Sequence, residues 1–142
     1  MTNLRIYVAT SLSNAAEAER VALMLEGEGV VITSRWHRSS YPPARASWRE
    51  RTLRLTLVDP VDRAARRMLC EDNLRDIRSS DGVLFMPHPD CRGSLVEVGY
   101  ALGLGQVVFA LGDRLSTTLM ADGCEWVADE AELRARLHRG AR

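Results

Sequence analysis

The sequence predicts an α/β domain, a doubly wound parallel sheet with helices on both faces. Three observations predict it. Short β-rich apolar runs recur along the chain, and amphipathic stretches with capping signals separate them. The chain has 142 residues, 46% of them apolar and 27% charged, which suits one soluble domain spanning 1–142. No internal repeat, linker or low-complexity segment interrupts the alternation.

Residues 4–9 form the first expected strand, and the polar turn Thr10–Asn14 follows it. Ser13 or Asn14 then caps a helix through about Glu28, with Val21, Leu23, Met24 and Leu25 on its buried side and Gly27 and Gly29 closing it. Residues 30–36 form a second strand. From His37 to Val58 the periodicity is mixed: Tyr41-Pro42-Pro43 is a loop, 44–57 fits a helix, and 52–58 also fits an extended segment. Asp59-Pro60 is a cap followed by a first-turn proline, starting a helix to about Ser79. Strand three covers 83–86, a loop covers 87–92, and Ser94 opens a helix ending near Gly103 or Gly105. Strand four covers 107–111, a short helix fits 115–121, strand five covers 125–127, and Asp129 caps a last helix through about His138. Five strands separated this way favour the flavodoxin-like order 2-1-3-4-5. Such sheets bind ligands beyond their C-terminal ends, where strands one and three diverge. The turns 10–14 and 87–94 meet there.

Charge and composition narrow the function. Nineteen basic and nineteen acidic residues cancel, which argues against a nucleic-acid or membrane-surface binder and for a small-molecule partner. Every basic residue is Arg, so a Schiff-base lysine and a P-loop lysine are excluded. Seven of the arginines lie between Arg45 and Arg67, where they form either a solvated face or a lid over an anionic substrate. Three scattered cysteines and three scattered histidines show no metal-ligand spacing, so no metal or cofactor is expected. A reducing cytoplasm is the expected setting, with no membrane segment.

The stretch Arg92-Gly93-Ser94-Leu95-Val96-Glu97-Val98-Gly99-Tyr100-Ala101 places one carboxylate in an apolar run. Two roles fit Glu97. With Ser94 it matches a capping box, serine at the cap and glutamate three residues on. Alternatively, it sits in the first turn of a helix aimed at the ligand crevice. There the helix dipole favours the ionised, poorly solvated carboxylate needed to attack an acetal-like carbon.

Ile6-Tyr7-Val8-Ala9, then Asn73-Leu74-Arg75-Asp76-Ile77 with Ser80-Asp81, then Gly93 through Ala101, resemble in order the nucleoside 2-deoxyribosyltransferase family, which includes deoxynucleoside 5′-monophosphate N-glycosidases. The resemblance runs from about Arg5 to Ala121 and is weakest over 37–58. It implies a retaining reaction. Glu97 attacks C1′ of a 2′-deoxynucleoside or its 5′-monophosphate, the base leaves, and the sugar passes to another base or to water. Tyr7 would hold Glu97 by a hydrogen bond; read without the resemblance, Tyr7 is a half-buried strand aromatic.

The family places aspartate where this chain has Asn73. At about 100° per residue, Cys70, Asn73, Leu74 and Ile77 share one arc and Asp72 points away. Asn73 thus faces the site, yet an amide is no general acid near neutral pH. Asp90 is either a turn residue or the group that takes over protonation. Trp36 is either a base-stacking or a core aromatic. The resemblance puts Ser11 in a turn where relatives that hydrolyse deoxynucleoside 5′-monophosphates bind phosphate, and Gly93 and Ser94 are expected to contact substrate. The resemblance gives Thr118 a 5′-phosphate contact in a segment that reaches a neighbouring subunit, implying a homodimer or a multiple of one. The contrasting class is a catalytically silent nucleotide-binding sensor using the same crevice.

Overall fold

A computed structural model describes residues 3–41, 60–112 and 121–140. Five parallel strands form one sheet in the order β2-β1-β3-β4-β5, as expected. They are β1 (Arg5–Ala9), β2 (Val31–Ile32), β3 (Gly82–Phe85), β4 (Val107–Leu111) and β5 (Cys124–Val127). The helices are α1 (Ala15–Gly27), α2 (Pro60–Arg78), α3 (Arg92–Gly103) and α4 (Glu130–Gly140).

The central strands are buried on both sides, as near-continuous apolar runs require. Helices α2 and α3 pack together over β1, β3 and β4. Helices α1 and α4 are tied to each other on the other side by Arg20–Glu130 and by the Arg134–Glu28 pair at 3.7 Å. At the start of β3, a Cβ on Gly82 would lie 2.9 Å from the Val107 carbonyl oxygen, so only glycine admits β4 this closely. The Gln106 side chain donates to the carbonyls of Ile77 and Ser80 at 2.8 Å, fixing the end of α2 against the start of β4.

Several local expectations are corrected. The turn after β1 is a short 3₁₀ segment, Leu12–Asn14, capped by the Ser11 hydroxyl, which accepts from Ser13 N at 3.3 Å. Asn14 makes no cap bond to α1; its amide donates to Thr10 Oγ1 at 3.2 Å. The buried face of α1 is Ala18, Val21, Ala22 and Leu25, whereas Leu23 is 57% exposed. Gly27 is the last helical residue, and Gly29, at φ 85°, turns the chain.

Strand β2 is two residues long rather than seven. Its backbone pairing stops because side chains take over: Ser34 Oγ accepts from Val8 N at 3.1 Å, and the Trp36 indole donates to Val8 O at 2.8 Å. The helix or strand expected within 44–57, the Asp59 cap and most of the short helix at 115–121 lie outside the described residues. At the C-terminal end the expected cap is present: Asp129 Oδ1 accepts from Glu132 N at 2.8 Å, and Glu132 reaches back to Ala128 N at 2.8 Å. No helix among the described residues is long and apolar enough to cross a membrane.

Candidate active site

A cavity of about 570 Å³ opens at the C-terminal ends of β1 and β3. The turn after β1 supplies Thr10, Ser11 and Ser13; α2 supplies Arg66, Leu69, Cys70 and Asn73; the loop and helix after β3 supply Asp90, Gly93, Ser94 and Glu97. The parallel topology brings these three segments together, since β1 and β3 are neighbours and each releases its following turn at the same sheet edge.

Glu97 is the sixth residue of α3, because that helix begins at Arg92 with Cys91 as its cap residue. It is therefore in the second turn rather than the expected first, and the Ser94–Glu97 capping box, one of the two roles open to it, does not form. Ser94 lies inside the helix, 3% exposed, and its hydroxyl has no hydrogen-bond partner. The cap lies three residues earlier than Ser94, at Cys91, and Glu97 faces α2. There Asn73 Nδ2 donates to Glu97 Oε1 at 3.0 Å. A carboxylate only accepts, so the Asn73 amide turns its nitrogen to Glu97 and leaves Oδ1 buried and unpaired.

Burial pushes the Glu97 carboxyl up to about 7, opposed by Tyr7 and by Asn73, which favour the charged form. The Tyr7 phenol is fully buried in β1, and its pKa lies well above the ordinary tyrosine value, first through burial and then through the adjacent Glu97. The phenol oxygen itself completes no hydrogen bond of ordinary geometry.

The other candidates separate clearly. Ser11, Gly93, Ser94 and Asp90 line the cavity, Asp90 at its exposed rim with its backbone N–H on His88 Nδ1 at 3.3 Å. Asp72 points away, as the helical arc requires, to Tyr41 and Arg75. Trp36 is 3% exposed, bonded to the Val8 carbonyl and edge-on to His37; it is a core residue and does not line the cavity, so the stacking role is corrected. Thr118 lies outside the described residues. Sequence reasoning missed Arg66, although the arc of Cys70, Asn73 and Ile77 extended one turn toward the N-terminus reaches it.

No protein-family model matches the chain, and no curated protein matches it in sequence. Solved structures do match in fold. A 2-deoxyribosyltransferase from the psychrotolerant bacterium Bacillus psychrosaccharolyticus superposes with a TM-score of 0.61 at 18% identity, over 92% of this chain and 90% of its own. The Clostridium botulinum CMP N-glycosidase BcmB superposes with a TM-score of 0.57 at 14% identity, over 95% and 98%. The chain therefore has the fold of the nucleoside 2-deoxyribosyltransferase family that its sequence resembles.

Proposed function

We propose that the protein cleaves the N-glycosidic bond of a 2′-deoxynucleoside or its 5′-monophosphate through a covalent sugar ester on Glu97, then passes the sugar to another base or to water. The observation that carries this reading is the Glu97 carboxylate, set in an apolar cavity wall with Oε1 held by Asn73 at 3.0 Å. One oxygen is fixed and the other is left to attack C1′. An anchored, poorly solvated carboxylate is a stronger nucleophile than a hydrated one. The Tyr7 phenol, buried in β1, would favour the ionised carboxylate before attack and again as it is released when the sugar ester breaks. The site thus resembles that of a retaining glycosidase, in which one carboxylate carries the sugar. Ser11 and Ser94 supply hydroxyls for the substrate.

The test is incubation with 2′-deoxynucleosides and their 5′-monophosphates, following free base by chromatography. Base release that disappears in Glu97→Ala supports the reading. Binding without base release from any of them favours the silent sensor instead.

A further inference from the structure

Two residues that line the cavity from the same face of α2 each carry a buried polar atom without a partner among the described residues. Asn73 Oδ1 is an acceptor without a donor, and Arg66 Nε is a donor without an acceptor. The two residues are seven apart, about two turns of helix, so they differ by only about 20° around the axis and lie about 10 Å apart along it. Both line the same cavity as Glu97. Buried polar groups are nearly always paired, so each orphan calls for an explanation, and beside a cavity a bound ligand is one.

Resting on the glycosidase reading above, we infer that Arg66 stabilises the departing base by charge, in the role that a proton donor at position 73 would otherwise fill. Its substrates then carry a base with a carbonyl conjugated to the glycosidic nitrogen and an adjacent N–H, as in uracil, thymine or hypoxanthine. Asn73 Oδ1 accepts that N–H, and the Arg66 guanidinium donates to the carbonyl. As Glu97 forms its bond to C1′, the C1′–N bond breaks and its electron pair moves onto the base. There it delocalises to the carbonyl oxygen facing Arg66. The departing anion takes its proton from water, which also supplies the hydroxyl if the sugar ester is hydrolysed. Adenine lacks the carbonyl and leaves poorly by this route.

The mechanism explains why an amide is tolerated at position 73. Asn73 is already occupied in holding Glu97, and an amide cannot protonate a leaving group. A guanidinium aimed at a developing oxyanion does not need to transfer a proton.

The experiment compares wild type, Arg66→Gln and Arg66→Lys on 2′-deoxyuridine, 2′-deoxy-5-fluorouridine and 2′-deoxyadenosine, each with and without 5′-phosphate. Circular dichroism confirms folding of each variant. Wild type is expected to release uracil faster than adenine. Arg66→Gln is expected to lose about 100-fold on deoxyuridine. The loss should be much smaller on the 5-fluoro analogue, whose more acidic base leaves more readily, and Arg66→Lys should recover part of it. Equal losses on uracil and 5-fluorouracil nucleosides, or a loss confined to the 5′-monophosphates, would overturn the inference. Base release and sugar labelling of Glu97 that persist undiminished in Arg66→Gln overturn it while leaving the glycosidase reading intact. No base release by wild type from any of the six compounds overturns both.

Discussion

Asn73 Nδ2 lies 3.0 Å from Glu97 Oε1, joining the C-terminal half of α2 to the second turn of α3 at the cavity wall. The bond sets the direction of the carboxylate and its charge together. Burial alone pushes Glu97 toward the neutral acid, and Asn73 opposes it. Removing the amide should therefore move the acidic limb of the rate profile to higher pH. For Asn73→Ala, kcat/KM should fall about 10- to 100-fold near neutrality, the value of a hydrogen bond to a charged group, and recover in part above pH 8. A pH–rate profile for base release checks this; an unshifted limb would show that Asn73 does not act through Glu97.

Wild-type kcat/KM should rise with pH through about 7, because the attacking group must be ionised. Tyr7→Phe removes a second group that favours the charged form of Glu97. The limb should again move upward, with about a tenfold loss near neutrality. Below about pH 6, where folded Glu97 is neutral, stability should not fall, because the deleted hydroxyl completes no hydrogen bond of ordinary geometry in the core. Thermal melting alongside the rate profile separates the two effects. Marked destabilisation would mean that the phenol is a structural anchor.

The raised carboxyl also costs stability in a pH window that can be named. Glu97 binds its proton more tightly folded than unfolded, with a folded value of about 7 against 4.5. The folded state is therefore penalised as pH rises from the unfolded value, and fully so above the folded one. Glu97→Gln should be more stable than wild type at pH 8, by up to about 3 kcal/mol, and indistinguishable from it near pH 4. Urea denaturation at both pH values measures the difference. A variant less stable than wild type at pH 8 would contradict the burial of this carboxylate.

Ser94 is not a cap, so Ser94→Ala should cost less than about 0.5 kcal/mol, where loss of a true N-cap costs about 1. Base release should suffer instead, through KM, if the unpaired hydroxyl meets substrate. Chemical denaturation paired with steady-state kinetics reads both.

The fold was legible because period and punctuation agreed. The apolar runs of β1, β3 and β4 are buried strands, and Asp129 with Glu132 caps α4 as its spacing indicates. Where expectation failed, a tertiary contact prevailed over local pattern. Ser94 looked like a cap because serine and glutamate stand three apart, yet the helix starts at Arg92 and turns the serine inward. Residues 30–36 looked like one strand, yet the Ser34 and Trp36 side chains satisfy Val8 in place of backbone pairing. Trp36 could be read as a stacking residue because nothing local distinguishes a core indole from a ligand-facing one; its N–H on the Val8 carbonyl decides it. Arg66 was lost among neighbouring arginines, since charge density does not say which one faces a cavity.

Whether Glu97 carries the sugar is read by mass spectrometry of the intact protein after incubation with a slow 2′-fluorinated nucleoside, followed by peptide mapping. A single added fluorosugar is expected on the peptide containing Glu97, and none in Glu97→Gln. Base release from a natural 2′-deoxynucleoside or its 5′-monophosphate that continues undiminished in Glu97→Gln, or a sugar adduct on another residue, would contradict it.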